Sequence, residues 1–182
     1  MLEVRRVIWC AVAAAVFAAG LWAGIGAAGG EARGAAEAVR LTAGLDTRQE
    51  TPKPKGTPVN ARGSFVATLE RTGAAGTLTW RLTFGGLSGK ATAAHVHLGW
   101  RGRAGRVSIA LCGPCRSGAH GSVKARAGTV PALLTGGAYV NVHTAKNAAG
   151  EVRGQIRAGS TVPPPATTTT TTTTSTGDDP YP

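Results

Sequence analysis

Between residues 64 and 157 the chain alternates apolar and polar side chains in short runs broken by glycine. The clearest run covers 77–84. Leu78, Trp80, Leu82 and Phe84 fall on one side of an extended chain, and Thr77, Thr79, Arg81 and Thr83 on the other. Successive side chains of a β-strand point to opposite faces, so this run predicts a half-buried antiparallel strand with Trp80 and Phe84 in the core. Similar runs predict strands over 65–69, 92–98, 107–111, 122–127, 130–134, 138–144 and 151–157. Gly85-Gly86, Ser88-Gly89, the Gly/Arg stretch 99–105 and the 147–150 turn punctuate them. No stretch carries a convincing helical period. Short strands joined by glycine-rich turns predict an all-β domain, a sandwich or a small Greek-key barrel.

The flanks differ in kind. Arg5 and Arg6 precede an apolar run, 7–28, followed by small residues at 26–30. This is the layout of a secretory signal, yet the run is also long enough to span a bilayer as an apolar helix. Residues 1–28 are therefore read as a signal peptide or a membrane anchor. Both readings place the remainder of the chain outside the cytoplasm, secreted or tethered at the cell surface. Residues 29–60 are rich in Ala, Gly, Thr and charges, with Pro52, Pro54 and Pro58 close together, and are read as a flexible linker. The β-domain is assigned to 61–160. Residues 161–182 hold Pro163 to Pro165 and an unbroken threonine run, Thr167 to Thr174, a composition that predicts a disordered stalk.

Charge and cysteine change the picture in two places. The net charge is +11, and between 61 and 160 the only acids are Glu70 and Glu151. A basic exported domain attracts anionic surface polymers, with Arg101, Arg103 and Arg106 as the candidate contacts; a plain solvated basic surface is the alternative. Nucleic acid is a poor fit, since aromatics are few and no binding motif is present. Cys112 and Cys115 form CGPC. No amphipathic helix follows to stabilise a thiolate, so the pair is read as a local disulfide of an oxidising compartment rather than a redox centre.

The candidate chemistry lies in histidines. His95 and His97 share one face of the 92–98 strand, with Ala94, Val96 and Leu98 on the other. In 138–144, Val140 and Val142 face one way and Tyr139, Asn141 and His143 the other. If both sets of aliphatics enter one core, three imidazoles share the opposite side. Imidazole suits Cu, Zn and Ni, and the affinity order favours copper. The alternative is a polar sheet face whose histidines bond Asn141, Thr144 or backbone. His120, in a Gly/Ala/Ser loop, is a possible fourth ligand. No histidine has a carboxylate near it in sequence to form a nucleophilic triad, so no catalytic set is assigned. Trp100 is expected to pack on the sheet. Glu151 and Arg153, either side of Val152, are expected to make charge pairs across strands.

Taken together, AAHVHLGWRGRAGRV from Ala93, the strand ending at Leu111-Cys112, and GGAYVNVHTAKNAAGEVRGQI ending at Ile156 resemble the CHRD domain, named for chordin. The resemblance covers about 64–157. It implies an immunoglobulin-like β-barrel with distant kinship to copper/zinc superoxide dismutases, and a family without settled activity. The dismutase comparison aligns His95-Val96-His97 with a copper-binding His-x-His pair, and His120 and His143 with later ligands. Asn147 to Gly150 and Arg153 are similar to the dismutase turn and arginine. No aspartate lies between Asp46 and Asp178, so the zinc half of a dismutase is missing. The functional expectation is an exported or tethered domain that binds an extracellular protein or anionic polymer, without clear catalysis. The alternatives are a copper-binding domain and a polyanion or glycan binder.

Overall fold

The computed structural model describes residues 38–162. The leader, the first part of the expected linker and the tail from 163 lie outside the described residues. Nine strands form one sheet: β1 Ala38–Asp46, β2 Arg62–Thr72, β3 Ala75–Gly85, β4 Ala91–Leu98, β5 Val107–Cys112, β6 Ala119–Ala125, β7 Ala138–Thr144, β8 Val152–Gln155 and β9 Arg157–Val162. Every pairing is antiparallel, in the order β5-β4-β7-β8-β1-β2-β3-β6, with β9 also on β1. The end strands β5 and β6 touch, so the sheet curls into a nearly closed barrel. The all-β expectation holds in its barrel form.

The core follows from the alternation. Leu78, Trp80 and Leu82 of β3 point inward against Phe65, Ala67 and Leu69 of β2. Val96 of β4 and Val140 and Val142 of β7 enter the same core. At about 25 cal/mol per Å² of apolar area removed from water, such burial is the main drive to fold. All seven residues of β7 are buried, so both of its faces are covered. The aliphatic face meets the core. The face bearing Tyr139, Asn141 and His143 is covered by other parts of the chain, and that cover holds the site together.

Three expectations are corrected. The stretch 29–60 is not all tether: β1 lies within it, pairing residue for residue with β2 over Ala38–Asp46 and burying Val39, Leu41, Ala43 and Leu45. The small residues and neighbouring prolines hid a regular alternation. Downstream, Thr47–Gln49 form a 3-10 turn capped by Asp46, whose carboxylate accepts from the Arg48 and Gln49 N–H groups. Residues 130–134 are not a strand but the start of a short helix, α1, Val130–Thr135. Pro131 occupies its first turn, where its missing N–H is unneeded, and Gly136 ends it in the left-handed region at φ 80°. Finally, residues 151–157 divide between β8 and β9, and β9 carries the fold to Val162, just inside the expected tail.

Candidate metal centre

The β4–β7 register sets His97 opposite Tyr139, His95 opposite Asn141 and Ala93 opposite His143. Side chains of directly paired residues share a face, so the three histidines stand on one side of adjacent strands. Their ligand nitrogens lie within 4.8 Å of one another. Nδ1 of His95 is 3.1 Å from Nε2 of His143.

Backbone carbonyls set two of the tautomers. His97 Nδ1 lies 2.8 Å from the Gly105 carbonyl, and His143 Nδ1 lies 2.9 Å from that of Ala148. A carbonyl only accepts, so each Nδ1 carries the hydrogen and each Nε2 is left with its lone pair. Nε2 of His97 is buried without a hydrogen-bond partner. Burial pushes all three imidazoles below their ordinary range. For His95 the neighbouring His143 and His97 add to the effect; for His97 and His143 the carbonyl bonds partly oppose it. Neutral imidazole is the form that ligates a metal, and a ligand's second ring N–H bonded to a carbonyl is the usual supporting arrangement.

The supporting layer joins Tyr139 and Asn141, expected on the face of His143, with Arg153 and Glu50, which the sequence pattern did not connect to the histidines. Tyr139 stacks on His97, ring centroids 4.9 Å apart at 14°. The Arg153 guanidinium lies 3.4 Å from the centre of the Tyr139 ring and donates to the Trp100 and Arg103 carbonyls, both at 2.9 Å. The Tyr139 hydroxyl accepts from the Gly105 N–H at 3.0 Å. Arg153 and Tyr139 thus fix the 99–105 loop, and with it the carbonyl that orients His97. Glu50 is 1% exposed, and burial raises its carboxyl above the usual range. Asn141 Nδ2 donates to the Ala149 carbonyl at 3.4 Å, while Asn141 Oδ1 and Glu50 Oε2 are, like His97 Nε2, buried without a hydrogen-bond partner. Nothing local marks Glu50, which sits beyond β1 in the stretch expected to be a tether.

The expected charge pairs are corrected as well. Arg153 is 1% exposed and acts on loop carbonyls and Tyr139. Glu151 is fully buried and accepts from Ser88 N at 2.5 Å, Ser88 Oγ at 2.8 Å and Thr144 Oγ1 at 2.6 Å. Each charged group is consumed in tying loops to the barrel. Trp100, expected on the sheet, is 61% exposed. His120 lies on β6, exposed, with Nδ1 3.2 Å from the Gly118 carbonyl, and is not part of the converging group. Arg101, Arg103 and Arg106 are exposed on the 99–106 segment. The sulfurs of Cys112 and Cys115 are at bonding distance, 2.12 Å.

A curled antiparallel barrel with three imidazoles held together beside a pinned loop is an all-β domain consistent with a binding role. Residues 41–156 match the family model described as the CHRD domain, and the chain belongs to that family. No curated protein and no solved structure matches it.

Proposed function

We propose that this CHRD domain binds copper through His95, His97 and His143. The observation that carries the proposal is the buried, unpartnered Nε2 of His97 in a group of ring nitrogens within 4.8 Å, two of them held in the ligating tautomer by Gly105 and Ala148. A lone pair left bare in a buried position costs free energy unless something occupies it. A set of imidazoles without thiolate or carboxylate fits copper best among common divalent ions. Without metal, His95 Nδ1–H donates to His143 Nε2; ligation through Nδ1 moves that hydrogen to His95 Nε2. Bound copper would supply one-electron or Lewis-acid chemistry. The chain's own part is to hold the imidazoles, orient His97 and limit water.

The domain is proposed to act outside the cytoplasm, as a secreted or tethered surface module. The basic-then-apolar leader and the cysteines at disulfide distance support this location. The test of the copper reading is titration of the full-length protein with Cu(II), read by metal content after dialysis and by electron paramagnetic resonance. One copper per chain with nitrogen hyperfine structure is expected, lost when His95→Ala and His143→Ala are combined. Wild-type protein that retains no copper, or a double variant that retains as much, refutes it.

A further inference from the structure

We infer that the loop 99–106 is a binding platform for a uronate-bearing polysaccharide, with Trp100 as the stacking surface and Arg101 and Arg103 as the carboxylate contacts. This platform does not depend on the metal. It shows itself in a mismatch between backbone and side chain. The loop backbone is tied at several points: Gly99 N–H donates to the Gly137 carbonyl at 2.8 Å, Gln155 Nε2 to that of Gly99 at 2.8 Å, and Arg103 N–H to that of Trp100 at 3.0 Å. Arg153 and Tyr139 hold it from beneath. A Cβ on Gly105 would fall 1.6 Å from the Leu98 carbonyl oxygen, so the loop closes on the sheet at its end as well.

Yet this rigid segment leaves its indole 61% exposed, while Trp80, the other tryptophan among the described residues, is 6% exposed. A loop so tightly specified presents the ring rather than failing to bury it. One ring edge passes beside Gly137, where a Cβ would sit 3.6 Å from Trp100 Cζ2, while most of the residue's surface is open to solvent. An exposed indole stacks on the apolar C–H side of a sugar ring. A pre-ordered platform loses little entropy on binding, and exposed tryptophan with arginine is the pairing that dominates interface affinity.

The flanking charge specifies an anionic sugar. Arg101, Arg103 and Arg106 are exposed, and Arg101 Nη2 is steadied by Gln49 Oε1 at 3.3 Å. Guanidinium groups match carboxylates bidentately. Little on the domain competes with such a ligand. Of the acids among the described residues, Glu50 and Glu151 are buried, Asp46 caps the 3-10 turn, and only Glu70 stands exposed away from the loop on β2.

The probe is polygalacturonate, with its fully methyl-esterified form and phosphatidylglycerol vesicles as the other arms, against the full-length chain. Polygalacturonate binding is expected, weakened about tenfold by Trp100→Ala. Combined Arg101→Ala and Arg103→Ala should weaken it similarly and flatten its salt dependence. Quenching of emission by the polymer, reduced in Trp100→Phe, reads the same contact if the alanine variant does not fold. Copper uptake should stay at the wild-type level in all these variants, which separates the platform from the metal reading. Equal binding by Trp100→Ala and wild type overturns it, as that is charge attraction alone. So does equal binding of the esterified polymer, or Trp100-dependent binding to vesicles in preference to polysaccharide.

Discussion

Replacing Arg153 with methionine tests whether the loop and the imidazoles are one mechanical unit. The substitution keeps a long apolar stem beneath Tyr139 but removes the donors to Trp100 and Arg103, both bonds of 2.9 Å, and the cation over the Tyr139 ring. Two hydrogen bonds from a charged donor contribute about 3–6 kcal/mol together, and a desolvated cation–π contact adds about 2 kcal/mol. Against that stands the cost of holding a guanidinium out of water, several kcal/mol, which the variant no longer bears. The net loss should be about 2–4 kcal/mol, a large share of the roughly 5–15 kcal/mol that stabilises a domain. Urea denaturation followed by tryptophan fluorescence measures it. The second half of the prediction concerns His97. With the loop released, the Gly105 carbonyl no longer holds Nδ1, and copper affinity should fall about 10–100-fold, the usual effect of losing an outer partner of a metal ligand. An unchanged unfolding midpoint refutes the packing argument. A lowered midpoint with undiminished copper affinity in the folded variant refutes the link between loop and ligand.

Other outcomes rest on the same contacts. Gly105→Ala cannot be accommodated without moving the loop, because its Cβ would lie 1.6 Å from the Leu98 carbonyl oxygen; weaker copper binding and a shifted His97 ring signal in NMR are expected. Burial raises the Glu151 carboxyl, but the bonds from Thr144 and Ser88 outweigh it and leave the group below its ordinary 4.5. The folded form therefore holds its proton less tightly than the unfolded one. Its stabilising contribution is complete above pH 4.5 and drains away as the pH falls through the lower folded value. Glu151→Gln should cost about 1–3 kcal/mol near neutrality, and the gap between it and wild type should close on acidification, read by urea midpoints across pH. His120→Ala should leave copper stoichiometry intact and shift stability by no more than about 0.5 kcal/mol, checked by metal analysis and thermal melting.

The parts of the fold written in side-chain parity were legible. Thr77 to Phe84 alternate strictly, and β3 is found there; Val96, Val140 and Val142 turn inward, which carries His95, His97 and His143 to the far side together. What parity cannot convey is which strands become neighbours. β4 pairs with β7 across a long intervening segment, and only that pairing closes the distance between His95 and His143. Composition misled at β1, where alanine and glycine among the alternating positions, followed by prolines, masked a central strand. It misled again at 130–134, where Pro131 fits the first turn of a helix better than the ladder of a strand. Parity put Tyr139 on the face of His143, but the roles of Glu50, Arg153 and the Tyr139 hydroxyl were beyond reach, because they arise from loops folded over β7 rather than from any local spacing.

The location of β1 decides how the domain can be excised. It is hydrogen-bonded to β2 along one side and to β8 and β9 along the other, so it is the middle plank of the barrel wall rather than a trimming. A fragment starting at Ala61 keeps every histidine yet opens two raw seams of unpaired backbone, and such seams recruit other chains. Soluble, monomeric material is expected only when the N-terminal cut falls before Ala38, and fragments cut later should clump by strand exchange, whatever their sequence promises.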